Sequence, residues 1–513
     1  MGPYRVSGYL KVAFLALVLT LLPVLAMGGE HEGDKPGKPD RVPWTGPVPK
    51  AHCGPNDRTE SGLQGQTTLA ERLSGDSALG YNCNLELVGQ FQGEGASYGF
   101  ASFDHCAYYG TTNSPLQQHR GTVVIDASDP TNPQATEYLD DPALRQPWES
   151  LKVHKGRQLL AGVQGPVPGG PGFAIYDLSA DCSHPVLKAS VVLPDVQGHE
   201  GDFTPDGLTY YGAFLRNSIY PIDVTDPSNP REILRWVPPG DVGVPHGLAF
   251  SKDGTRAYVA QPGRLPFTFA NGLVILDVSD IQFRRPNPQI RVVSTLFWED
   301  GKTTQVPLPV TYRGRPHLII GDELGSGGIG SVGIGGAELA CALGLPPHGF
   351  ARIIDISDER NPKTISKLML EVSDPANCPV ILGAPPVVVN EFLSSHYCNV
   401  DRRNNPRILA CTYRQAGLRV FDIRDPFHPR EIAYYKPRAR RTEIRPGSEL
   451  RGVDRTTDHA PSDIRFQKHG GQLQLWFTSM DNGFQIVRFT KSMRELLGRD
   501  NSKGKDDDDD DDD

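Results

Sequence analysis

Short aliphatic runs that end in aspartate recur along this chain, each followed by small polar residues and proline. Six copies are clear: GTVVIDASDPTNP (121–133), GFAIYDLSADCSHP (172–185), NSIYPIDVTDPSNP (217–230), GLVILDVSDIQFRRPNP (272–288), FARIIDISDERNP (350–362) and GLRVFDIRDPFHP (417–429). A seventh, GFQIVRFT (483–490), carries Arg488 where the others carry aspartate. A β-branched, aliphatic run of this length reads as a buried strand. The S/T-D-P-x-N-P that follows supplies side-chain acceptors and prolines that stop the strand and fix a turn. A repeated aspartate at a strand end is therefore expected to cap the amides of its own turn, rather than to mark six active sites.

Strand-like runs such as EILRWV and EIAYY follow each turn, and a hairpin precedes each motif, most plainly GLAFSKDGTRAYVAQ (247–261). Each repeat thus predicts four antiparallel strands. Four-stranded units recurring at this spacing are the signature of β-propeller blades, and the longer intervals imply inserted loops. Seven motifs predict an all-β, seven-bladed propeller. The last copy lacks an outer strand, whereas NLELVGQFQG (84–93) is a strand without a repeat, so that N-terminal strand is expected to close the ring in blade seven. The Gly-rich stretch 325–336 lacks both the lysine and the βαβ setting of a nucleotide loop and reads as a surface insertion.

The V-I-D-x-S-D-P-x-N-P pattern resembles the LVIVD-repeat family of bacterial and archaeal exported β-propeller proteins, over roughly residues 84–490. The resemblance implies a secreted, periplasmic or cell-surface propeller. It implies no catalytic residue.

The tails agree with export. Arg5 and Lys11 precede an apolar run, Val12 to Leu25, and then Ala26-Met27-Gly28-Gly29. This is the pattern of a cleaved signal peptide, since a run this short cannot cross about 30 Å of hydrocarbon. The expected organisation is a signal peptide (1–28), a Pro/Gly-rich linker and extension (29–83), the propeller (84–493) and a tail (494–513). No transmembrane anchor is expected after signal removal. Export makes the eight cysteines disulfide candidates. Cys398 and Cys411 flank the turn Arg403-Asn404-Asn405-Pro406 symmetrically, so a hairpin would oppose them; Cys341 with Cys378 and Cys53 with Cys83 are suggested by nearness in sequence.

Charge narrows the partners. The net charge is -9, with 61 acidic and 52 basic residues, but Asp506 to Asp513 supply eight of the acids, so the body is nearly neutral. Without a basic face beyond Arg438, Arg440 and Arg441, nucleic acid is excluded as a partner. The partners left are a protein, a glycan or a small-molecule ligand on the propeller face.

Chemistry is expected at one mouth of the channel. The segment entering each inner strand and the segment leaving the second strand share a face, and aligning the hairpins places His246 (blade four) and His396 (blade six) at equivalent positions. His199 and Glu200 enter blade three, Glu149 enters blade two, Tyr98 blade one, and His459 precedes blade seven. Gln164, Arg216, Gln261, Asp322, Glu323, Arg414, Asp481 and Asn482 leave second strands toward the same mouth. Imidazole and carboxylate suit Zn, Cu, Fe or Ni, so His246, His396, Glu200, His199, Glu149 and His459 form a candidate set for one transition-metal ion. Two functions follow: a rigid exported scaffold that binds a partner, or a metal-dependent oxidoreductase or hydrolase using these residues. The sequence names no catalytic residue and leaves open whether the protein is an enzyme.

Overall fold

The structure is a computed structural model describing residues 42–165, 172–193, 198–214, 218–240, 245–262, 271–328, 336–383, 393–439, 445–449 and 457–494. The expected signal peptide, most of the proline-rich linker, Arg216, part of the glycine-rich insertion and the aspartate tail lie outside the described residues.

Seven antiparallel sheets form a ring, each beginning with an innermost strand: Phe100–Phe103, Lys152–His154, Glu200–Phe203, Leu248–Phe250, Lys302–Thr304, Cys398–Val400 and Arg465–His469. Blade four is the plain case, running Leu248–Phe250, Arg256–Pro262, Asn271–Asp277 and Arg291–Phe297 in spatial order. The motif strand is the third in its blade, buried on both faces, which is why its sequence is a continuous aliphatic run rather than an alternation. Alternate residues face opposite gaps: Leu409 and Cys411 pack between blades five and six, Ile408 and Ala410 between six and seven. Seven such apolar clusters fill the gaps between neighbouring blades, including one that joins Trp476 and Ile486 of blade seven to Phe100 and Tyr109 of blade one. A row of seven sheets has six gaps; the seventh exists only because the ring is closed.

Closure is made by the N-terminal strand. Leu85–Phe91 pairs with Gly483–Phe489 as the outer strand of blade seven. Just before it, Tyr81–Cys83 adds a fifth strand to blade six by pairing with Arg430–Lys436. The repeated aspartates cap their turns: Asp126, Asp177, Asp223, Asp277, Asp355 and Asp422 each accept the amide two residues on, at 2.8–3.2 Å.

All eight cysteines are paired, Cys53–Cys83, Cys106–Cys182, Cys341–Cys378 and Cys398–Cys411. The second of these ties blade one to blade two and spans 76 residues, beyond what nearness in sequence can suggest.

Blade five departs from the repeat. Its second strand, Arg315–Leu324, pairs with both Lys302–Thr304 and Leu308–Tyr312, and it is followed by an insertion holding the helix Gly336–Ala342. A second insertion, before blade six, holds the helix Cys378–Leu382, and Cys341–Cys378 staples the two.

Candidate functional site: a histidine and carboxylate centre at the channel mouth

Five buried groups from five blades meet where the inner strands begin. Glu149, His199, His246 and His396 each lie a few residues ahead of an innermost strand, and Glu323 lies near the end of the second strand of blade five. The ring geometry converts these equivalent positions into a circle of side chains around one mouth, gathered in two sets that share Glu149.

The contacts are close. His199 Nε2 lies 3.0 Å and His246 Nε2 3.7 Å from Glu149 Oε2. His246 Nε2 is 3.5 Å from Glu323 Oε1. His396 Nε2 is 3.2 Å from Glu149 Oε1 and 3.4 Å from Glu323 Oε2. Two sets, Glu149 with His199 and His246, and Glu149 with Glu323 and His396, each have ligand atoms within 4.8 Å of one another and could hold a metal ion.

The imidazoles are oriented from behind. His246 Nδ1 is 2.8 Å from the Thr304 carbonyl, and His396 Nδ1 is hydrogen-bonded to the Pro461 carbonyl. Trp148 donates its indole N–H to His199 Nε2 at 3.2 Å, and the Tyr98 ring lies against Trp148 and His396. Arg414 donates to Glu323 Oε2 at 2.6 Å, and Gln305 donates to Glu149 Oε2 at 3.1 Å and Glu323 Oε1 at 3.0 Å.

The charges follow from this packing. Burial pushes the Glu149 carboxyl up, but the imidazoles of His199 and His396 outweigh it and hold the group well below the usual range. Burial alone would depress His396; the Glu323 and Glu149 carboxylates instead lift it to about 9. His246 is held below its ordinary value by burial and then by the neighbouring His199.

Three non-glycine residues here adopt left-handed backbone: Trp148 (φ 51°), Thr303 (φ 56°) and Arg414 (φ 50°). Such conformations cost on the order of 1–3 kcal/mol each and persist where the surroundings over-determine them. Each sits on or beside a residue that shapes the centre: Trp148 precedes Glu149, Thr303 precedes Thr304, and Arg414 holds Glu323.

Two of the six residues proposed from the sequence stand outside the converging sets. Glu200 follows His199 on its strand and therefore faces another way: its oxygens are taken by Lys152 Nζ at 3.1 Å and by the Tyr397 hydroxyl. His459 lies six residues ahead of its strand, with its amide on Asp458 Oδ1 and its carbonyl accepting from Met480. Glu323 was placed at the mouth by the sequence but left out of the ligand set. Gln305 was missed altogether, although TTQ before the strand LPVTY parallels PHG before LAF; the split inner strand of blade five hides the equivalence.

The LVIVD repeat family matches residues 257–281, in blade four. No curated protein matches the chain. Among solved structures, a protein from Lactobacillus plantarum is similar at 12% sequence identity over 64% of this chain and 80% of that one, with a TM-score of 0.42. The protein is a seven-bladed β-propeller that carries an LVIVD repeat.

Proposed function

We propose that the protein is exported and works as a rigid binding scaffold whose working face is the channel mouth. One observation carries this reading: the stapled insertions before and after blade five's outer strands arise on the same side as the histidine and carboxylate centre. The first leaves the strand that bears Glu323, and the second ends in the segment that bears His396. Loops of this kind on a closed, rigid ring are where binding residues concentrate. Four disulfides suit an oxidising compartment, and among the described residues no helix is long and apolar enough to cross a membrane. The partner is a protein, a glycan or a small molecule.

Hydrogen exchange on the mature protein, with and without an extract of envelope glycans and proteins from the expressing cells, tests the face. Protection confined to 336–349 and 393–397 is expected; protection on the outer strands alone contradicts it. N-terminal sequencing of the same material tests export, with a start near Gly28 or Gly29 expected and an intact Met1 in the cytosolic fraction contradicting it.

A second reading, a metal-dependent oxidoreductase or hydrolase, is favoured by the convergence of three imidazoles on two carboxylates. An open coordination position would be its requirement.

A further inference from the structure

Hydrogen bonding at the channel mouth does not close. Peptide carbonyls only accept, so His246 Nδ1 against Thr304 and His396 Nδ1 against Pro461 must both carry a proton. In the neutral imidazole each Nε2 then presents a lone pair, and those lone pairs face carboxylate oxygens, which also only accept. His199 has the same conflict: its Nε2 faces the Trp148 N–H, which only donates, and Glu149 Oε2, which only accepts, while its buried Nδ1 has no partner among the described residues. Gln305 brings two N–H bonds to three acceptors, Glu149 Oε2, Glu323 Oε1 and His396 Nε2, at 3.0–3.2 Å. Arg414 adds one positive charge against two carboxylates. A proton on His396 Nε2, which the two carboxylates favour, supplies one hydrogen to them and still leaves the His246 Nε2 lone pair facing Glu149 Oε2 and Glu323 Oε1. A cation between these groups meets that lone pair and both carboxylates together.

We propose that this mouth binds one divalent first-row transition-metal ion, held by His246 Nε2, His396 Nε2, Glu149 and Glu323, with His199 beside Glu149. The four separations between these imidazole nitrogens and carboxylate oxygens are 3.7, 3.5, 3.2 and 3.4 Å. Metal bonds of roughly 2.0–2.2 Å give a tetrahedron edges of about 3.3–3.6 Å, so each imidazole already stands about one such edge from an oxygen of both carboxylates, His246 from Glu149 Oε2 and Glu323 Oε1, His396 from the other oxygen of each. The carbonyls behind His246 and His396 fix tautomer and ring orientation, as partners of ligating histidines do. Mixed imidazole and carboxylate donors suit the Fe(II) to Zn(II) series, and the imidazoles speak against Ca²⁺ and Mg²⁺. Charge sets the number of ions: two carboxylates and one guanidinium leave one negative charge, which one divalent ion covers and two would far exceed. The mouth's position is all this shares with the scaffold reading; a metal is bound there whether or not the face also binds a partner.

The full mature chain, purified without chelator, is stripped and then dialysed against Zn²⁺ or Co²⁺, with bound metal counted by elemental analysis. One equivalent per chain is expected, with a cobalt absorption spectrum of nitrogen and oxygen ligation. Glu323→Gln and Glu149→Gln keep side-chain shape and are expected to weaken binding at least about 100-fold, a larger loss than the roughly 10–100-fold typical of outer-shell changes. His246→Ala should abolish it, while His428→Ala, an exposed histidine paired with Asp425, should leave it unchanged. Zero or two equivalents per chain, or unchanged affinity in folded Glu323→Gln and Glu149→Gln, overturns the proposal. The two glutamine variants keep the test decisive should His246→Ala fail to fold.

Discussion

Two buried polar clusters in this ring are built from similar groups and behave differently. Under the N-terminal extension, Arg419 donates to both oxygens of Glu60 at 3.0 and 2.7 Å and to Glu431 at 3.0 Å, and Lys436 lies 3.6 Å from Glu60. Gln64 donates to the free oxygen of Glu431, and Lys436 donates to Gly65, Gln66 and Thr67. Two cations meet two anions there, and all four carboxylate oxygens of Glu60 and Glu431 face a donor. At the channel mouth the His246 Nε2 lone pair faces two carboxylate oxygens. The first cluster is a clasp that holds the extension on blade six; the second, on the proposal above, is completed by a cation. Burial and charge do not separate a structural cluster from a functional one. The count of donors against acceptors does.

Breaking the clasp should have the largest effect on stability. Arg419→Met leaves Glu60 and Glu431 buried without their main partner, and such a break costs about 3–5 kcal/mol. A chemical-denaturation midpoint well below that of the parent is expected; an unchanged midpoint would make the clasp no more than surface decoration.

The neighbours Asp322 and Glu323 sharpen the contrast within one strand. Asp322 is surrounded by donors: Asn271 at 2.9 Å, Thr304 at 3.1 Å, the Trp298 indole at 3.0 Å and Arg352 at 2.6 Å. Asp322→Asn turns an acceptor-only group into one that presents N–H to those donors, at an expected cost of about 2–3 kcal/mol, since unsatisfied buried partners lose their full desolvation energy. The same denaturation curve read for Asp322→Asn and Glu323→Gln should differ sharply, with the Glu323 variant close to the parent.

Smallest in stability is Glu149→Gln. It removes one of two like charges but also the partner of the His199 and His396 imidazoles, so the two effects offset and the metal-stripped variant should lie within about 1 kcal/mol of the parent. A loss of several kcal/mol would show that the mouth is a closed structural network like the clasp.

The blades were legible because the third strand is buried on both faces and its turn needs aspartate and proline, so the same letters recur in each copy. Ring closure was legible from one strand without a repeat and one repeat without an outer strand. His246 and His396 were legible because a propeller places equivalent residues on one circle. Glu200 misled for a local reason: successive strand residues point to opposite faces, so the neighbour of a mouth residue turns away and meets Lys152 and Tyr397. Glu323 and Gln305 needed coordinates, because blade five breaks the repeat with a divided inner strand and an insertion. Arg419 and Glu60 lie far apart in the chain, and no local pattern joins them.

The most direct test is an anomalous difference map from a crystal of the full mature chain grown with Zn²⁺ and measured at the zinc edge. One peak is predicted within about 2.0–2.2 Å of both His246 Nε2 and His396 Nε2, with Glu149 and Glu323 completing its shell. No peak at the mouth, with the Gln305 amide still donating to Glu149 and Glu323 at full zinc, would contradict the account.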